Sequence, residues 1–185
     1  FTLQVGDDSI AVSIRILGDH NVMNVLATFA ATRELGVALA DAIAVIAAMP
    51  RAERWRMELL PGPDGITVIN DGYNASPESM AAALKTLAEI TRGHGRAIAV
   101  LGEMAELGEY SDDEHDRVGR LVVRLNIDKL IVVGHAARHI HNAAGLEGSW
   151  DGESALVANS EEAYDSLRNV LRSGDVVLVK SSNAA

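Results

Sequence analysis

Gly65-Ile66-Thr67-Val68-Ile69-Asn70-Asp71-Gly72-Tyr73-Asn74-Ala75-Ser76-Pro77-Glu78-Ser79-Met80 decides the fold, because an apolar run ends there on an acid and a helix starts a few residues later. Residues 65–69 read as a short buried strand. Ser76 reads as an N-cap, and Pro77 as the first helical residue, where a missing N–H is harmless. Met80, Ala83, Leu84, Leu87 and Ala88 then recur at the spacing of one buried helix face, which Gly93 and Gly95 end. Asp71, Tyr73 and Asn74 are thereby held in a tight strand-to-helix loop. Asp and Asn are also ordinary turn formers, so spacing alone fits a plain turn and a functional loop equally.

Outward from this junction the same alternation continues. Apolar runs at 66–69, 97–101, 130–133 and 176–179 read as strands, with helices at roughly 77–91, 112–125, 136–144 and 161–171. Continuous apolar runs are the mark of a parallel sheet covered on both faces. The expected fold is therefore α/β, a Rossmann-like, mostly parallel sheet with helices on both faces. In front of it, Phe1, Leu3 and Val5, a turn at Gly6-Asp7-Asp8, and Ile10, Val12, Ile14 and Ile16 read as a hairpin. Gly18-Asp19-His20 opens a helix with an apolar stripe at Val22, Val25, Leu26, Phe29 and Ala30, ending near Gly36. A second helix is expected from about 38 to 49, before Pro50, so the division expected is 1–50 and 51–185.

Four polar clusters, Asn70-Asp71, Gly102-Glu103, Gly134-His135 and Lys180-Ser181-Ser182-Asn183, each follow the last apolar residue of a strand. In an open parallel sheet such loops share one edge, outside the carboxyl ends of the strands, where ligands bind. They form a candidate site on topology alone.

Composition removes several function classes. The 185 residues, 48% of them hydrophobic, suffice for one large or two small folded domains. A formal charge of -10, from 26 acidic against 16 Lys and Arg residues, argues against duplex nucleic acid or an anionic membrane as partner. The chain has no cysteine, which excludes disulfides and thiolate metal sites and is compatible with a reducing compartment. The most apolar stretch, 35–49, is interrupted by Asp41 and falls short of the ~20 residues of a bilayer span. The chain opens on Phe1 and stops at Ala185 just after a strand, so a piece of a longer protein is expected.

No G-x-G-x-x-G follows a strand, so a dinucleotide cofactor is not expected, and no G-x-x-x-x-G-K-[ST] phosphate cradle is present, so unaided nucleotide hydrolysis is not expected either. Asn21 and Asn24, with Thr28 one turn on, place two amides on one helix face, suited to a planar partner such as a nucleobase or to helix capping. Arg54 and Arg56 flank Trp55, where a guanidinium could grip phosphate oxygens. His135, His139 and His141 lack the glutamate of a zinc helix. Asp112, Asp113, Glu114, His115 and Asp116 lack the glycine and terminal glutamate of a calcium loop, so no metal site is expected of either cluster.

Three segments together resemble the Mur ligases, in the branch that adds D-alanyl-D-alanine. They are Gly18-Asp19-His20-Asn21-Val22-Met23-Asn24-Val25-Leu26-Ala27, the Asn70 to Met80 loop, and Leu101-Gly102-Glu103-Met104-Ala105-Glu106-Leu107-Gly108 followed by His115 and Gly119. The sister ligases usually carry histidine where Asn74 stands. The likeness runs from about Gly18 to Lys180.

The resemblance implies an ATP-dependent ligase of peptidoglycan precursor synthesis. ATP, with Mg2+, would phosphorylate the terminal carboxylate of a UDP-N-acetylmuramoyl tripeptide, and the amine of D-Ala-D-Ala would attack the acyl phosphate. It further implies that Asn21 and Asn24 face the adenine, Arg56 (less so Arg54) the terminal phosphate, and Asp71 the ribose or magnesium shell. Tyr73 and Asn74 would shape the nucleotide and substrate crevice, with Glu103, Lys180 and Ser182 on the substrate side. Residues 1–50 would be the end of the central ATP-binding domain and 51–185 a C-terminal ligase domain truncated at its end. A cytoplasmic monomer is implied, with the isolated fragment inactive. Lys180-Ser181-Ser182-Asn183 departs from the family's usual K-G-S-R. The competing readings are a folylpolyglutamate-synthetase-like ligase, which the Tyr73-Asn74-Ala75 and 104–108 segments oppose, and a non-enzymatic Rossmann-like binding module, which the missing phosphate cradle would suit.

Overall fold

Gly6 and Asp7 join β1 (Thr2–Val5) to β2 (Asp8–Ala11) in an antiparallel pair that sets Val5 opposite Asp8. Asp8 is therefore a strand residue rather than part of the turn, and Gly6 supplies the positive φ of 60° that the tight connection needs. The hairpin is shorter than its alternation suggests. The Val12 amide donates to Phe1 O, and Ile14 packs on the core from an irregular segment. A computed structural model describes residues 1–50, 54–147, 150 and 152–183, and the chain divides into two compact units, Phe1–Arg54 and Trp55–Ala185. The boundary expected at 50 and 51 borders residues 51–53, which lie outside the described residues.

In the first unit, α1 (His20–Glu34) and α2 (Leu39–Ala48) close over the hairpin around Leu3, Val12, Val25, Phe29, Ala42 and Ile46. The buried line of α1 is Asn21, Val25 and Phe29, an i, i+4, i+8 row. Ala30 is exposed, so the expected stripe is rotated by one position towards Asn21.

The second unit is a six-stranded sheet in the order β3-β4-β8-β5-β6-β7. Its strands are β3 (Glu58–Pro61), β4 (Thr67–Asp71), β5 (Ala97–Leu101), β6 (Lys129–Val133), β7 (Glu153–Val157) and β8 (Val176–Lys180). All neighbours are parallel except β3, which runs antiparallel to β4. The helices are α3 (Pro77–Thr91), α4 (Ser111–Arg124), α5 (Arg138–Leu146) and α6 (Ser160–Arg168). Ser76 caps α3 through its hydroxyl, which accepts from the Ser79 amide, while Ser79 Oγ accepts from the Ser76 amide.

Two strands escaped the sequence reading, β3 and β7, the two sheet edges. β4 also runs two residues further than expected, through Asn70 and Asp71, because both continue the register against Val179 and Lys180 of β8. From β4 the chain advances through β5, β6 and β7, then returns to insert β8 between β4 and β5. Right-handed crossovers place α3, α4 and α5 on one face and α6 on the other. Ala163 and Leu167 of α6 accordingly pack on Ile98, Val100, Ile131 and Val177. Gly119 lets α4 lie close against α5, since a Cβ there would stand 2.2 Å from Ile140 O.

Candidate functional site

Because β4, β8, β5 and β6 are parallel neighbours, the loops after them meet at one edge. β3 is antiparallel, with Glu58 opposite Asn70, so the segment entering β3 reaches the same edge. On the α6 side a pocket of about 610 Å³ opens there. Val100, Val133 and Val179 give it an apolar floor, Ala163, Tyr164 and Leu167 one wall, and Gly72, Gly102, Gly134, Ser160 and Ser181 to Asn183 a polar rim. The four strand-end clusters expected to share an edge do share it. Ser160 and Tyr164 were not foreseen as site residues, because α6 lines this edge only through the return of the chain to β8.

On the α3 side of the sheet lies a buried ion pair. Lys180 Nζ donates to Asp71 Oδ2 at 2.6 Å and to Asn74 O at 2.8 Å, while Asp71 Oδ1 accepts from the Met57 amide at 3.0 Å. Lys180 is 2% exposed and Asp71 9%. Asp71, expected at a ribose or magnesium shell, and Lys180, expected on the substrate side, thus join three segments to each other. An ammonium and a carboxylate this deep persist because each meets its opposite and further hydrogen bonds.

Arg56 sits beyond this pin with its guanidinium over the Tyr73 ring, 4.2 Å from the centroid. Both residues are exposed, and the Tyr73 amide donates to Trp55 O. Trp55 and Met57, on either side of Arg56, have φ of 60° and 46°, a region that side chains other than glycine rarely adopt. Glu58, which is buried, accepts the Trp55 amide at 3.2 Å.

Between the loops after β5 and β8 runs a second set of ties. Ser182 Oγ accepts from the Ala105 amide at 3.0 Å and lies 3.3 Å from Ala75 O and 3.5 Å from Asn74 Oδ1, to which it can donate. The Ser182 amide donates to Glu103 O. His115 is buried on α4, where its Nε2 accepts from the Met104 amide at 2.9 Å and its Nδ1 lies 2.6 Å from Ser111 O. A carbonyl only accepts, so Nδ1 carries the proton and the ring is the neutral Nδ1–H tautomer. Ser182 and the Glu103 backbone therefore organise the loops, and exposed Asn74 and half-buried Glu103 stand at their mouth. Gly102 admits no side chain, since a Cβ would fall 2.3 Å from Ser181 Oγ.

In the first unit Asn24 Nδ2 donates to Asn21 Oδ1 at 3.1 Å, and Asn21 Nδ2 donates to Leu17 O at 2.6 Å. The two amides share a face, with Asn21 buried and Asn24 exposed, and neither caps the helix, whose N-cap is Asp19. Among the described residues no three His, Cys, Asp or Glu side chains gather as a metal site. No described helix is long and apolar enough to cross a membrane.

A mostly parallel sheet with a switch in winding, helices on both faces and a cavity at the carboxyl edge defines a Rossmann-like domain. The chain belongs to the Mur ligase family: residues 55–183 match the model of the Mur ligase glutamate ligase domain. Over its whole length the chain is 44% identical to UDP-N-acetylmuramoyl-tripeptide--D-alanyl-D-alanine ligase of Mycobacterium bovis, of which it covers 39%. The crystal structure of MurF from Acinetobacter baumannii superposes on all of it with a TM-score of 0.84 at 28% identity, again over 39% of that chain. MurF of Thermotoga maritima, solved with ADP, shares the fold at a TM-score of 0.73 and 24% identity, over 99% of this chain and 40% of that one. The chain thus spans about two fifths of the length of these relatives.

Proposed function

We propose that the chain is the C-terminal part of an ATP-dependent ligase that joins D-alanyl-D-alanine to a UDP-N-acetylmuramoyl tripeptide in peptidoglycan precursor synthesis. The observation that carries this is the end-to-end match to relatives bearing that activity as their name, whose length the chain only partly spans. Residues 1–50 are assigned to the end of the central ATP-binding domain and 51–185 to the C-terminal domain.

In this reaction a carboxylate oxygen attacks the terminal phosphorus of ATP and ADP leaves. The dipeptide amine then attacks the acyl carbon, phosphate departs with the C–O bond electrons, and the amine gives up a proton. A protein accelerates such steps by aligning amine with carbonyl and by meeting developing charge with fixed dipoles and cations. Arg56 is assigned to the terminal phosphate, which a planar guanidinium suits. Asn21 and Asn24 are assigned to the nucleobase, and Tyr73 and Asn74 to the crevice mouth.

The pocket beside α6 is assigned to the dipeptide. Its valine floor accommodates two methyl groups, and its serine and backbone rim offers partners to an amide and a carboxylate. The Ser182 loop lines it, and Glu103 follows Gly102 of its rim. Magnesium belongs to the reaction by analogy with the family, yet Asp71 is engaged by Lys180 and Met57 and no described cluster fits a metal. A monomeric cytoplasmic enzyme completes the reading.

A coupled ADP-release assay on the full-length protein tests it. ADP should appear only when both tripeptide and dipeptide are supplied, and release indifferent to the dipeptide would overturn the assignment.

A further inference from the structure

Arg56 occupies an improbable position: the residues before and after it both lie in the left-handed backbone region. Such a conformation persists only where surrounding contacts over-determine it, and in active sites the strain frequently serves presentation of a group. Four contacts do this here. The Met57 amide is fixed by Asp71 Oδ1, whose other oxygen is neutralised by Lys180. The Trp55 carbonyl takes the Tyr73 amide, and the Trp55 amide is taken by Glu58 Oε2. The guanidinium itself rests on the Tyr73 ring.

We infer that Asp71 and Tyr73 are positioning residues for Arg56. Asp71 locks the strained turn through the Met57 amide, and Tyr73 lays its ring beneath the guanidinium. This rests on the assignment of Arg56 to the ATP terminal phosphate. A guanidinium on a long, exposed side chain loses rotamer freedom when it grips a phosphate, and one already stacked has less to lose. It accounts for Asp71, the last residue of β4, turning to Met57 and Lys180 while Tyr73, two residues on, reaches Arg56. Asp71 ends the strand pointing to the α3 side, while Tyr73 lies beyond the strand end, towards Arg56.

The test is a set of double-mutant cycles in the full-length ligase, read as kcat/KM for ATP and as Kd for a non-hydrolysable ATP analogue. Tyr73→Leu should lower kcat/KM about two- to fivefold, the range of an exposed cation–π contact, while Tyr73→Phe, which keeps the ring face, should restore it. In an Arg56→Ala background the Tyr73→Leu effect on analogue Kd should vanish, and that of Asp71→Asn should shrink. Urea midpoints identify a variant that fails to fold, in which case the Tyr73 cycle decides. Full effects of Tyr73→Leu persisting without Arg56, or Tyr73→Phe as impaired as Tyr73→Leu, would overturn the inference. A wild-type protein that forms no ADP would instead overturn the ligase reading on which it rests.

Discussion

Lys180 Nζ stands 2.6 Å from Asp71 Oδ2 across adjacent strands, with the lysine side chain 2% and the aspartate side chain 12% exposed. The pair is the closing residue pair of the β4–β8 ladder, so it fixes the distance between the loops that leave these strands. Through Asn74 O and the Met57 amide it reaches two further points of the candidate site.

Removing one partner leaves an uncompensated buried charge. Lys180→Met should destabilise the second unit by about 3–5 kcal/mol, and the double variant Asp71→Asn with Lys180→Met should be more stable than Lys180→Met alone. Urea unfolding of Lys180→Met, Asp71→Asn and the double variant measures this. Additive losses would show that the two groups do not act as a pair.

The opposite edge of the sheet carries an acid-sensitive pair. Burial pushes the Asp175 carboxyl up, but hydrogen bonds from Arg96 and the Arg172 amide outweigh it and hold the group below the usual carboxylate range. A depressed folded pKa stabilises the protein above the unfolded value of about 3.9 and loses that contribution as pH falls through the folded value. The stability gap between wild type and Asp175→Asn should therefore be constant near neutrality and close as pH drops from about 5 to below 3. A gap unchanged by acid would contradict the assignment.

His115 should be found as the neutral Nδ1–H tautomer in nitrogen NMR of the imidazole. His115→Ala should destabilise by about 1–3 kcal/mol, since the Met104 amide is left without its acceptor. An Nε2–H tautomer would set two donors, Nε2–H and the Met104 amide, against each other and leave Nδ1 with no proton for Ser111 O, which would refute the geometry.

Gly102→Ala places a Cβ 2.3 Å from Ser181 Oγ and 2.7 Å from Ser181 Cβ. It should destabilise by about 1–3 kcal/mol, and Ser181→Gly in the same chain should recover most of the loss. Thermal unfolding of the single and double variants decides it, and no recovery would place the strain elsewhere.

What was legible follows from what each residue must bury. β5 and β8 lie inside the sheet, so their apolar runs announced them. β3, with Leu59 and Leu60 exposed and Pro61 at its end, and β7, which begins Glu153-Ser154, are edges that need no continuous apolar run. The strand-end clusters marked the site because a parallel sheet collects its loops at one edge. Neither the Lys180–Asp71 pair nor the hold of Asp71 on Met57 could be read, since the first depends on strand order and the second on an edge strand that left no signal. Asn21 was singled out for its amide, yet its depth arises from a buried line one position off the apolar stripe.

The most direct measurement is the mass of the product formed by the full-length protein from ATP, UDP-N-acetylmuramoyl tripeptide and D-Ala-D-Ala. The account predicts a muramoyl pentapeptide, heavier than the tripeptide by the dipeptide less one water, with one ADP per product. Tripeptide recovered unchanged while ATP is consumed, or a single amino acid added in place of the dipeptide, would contradict it.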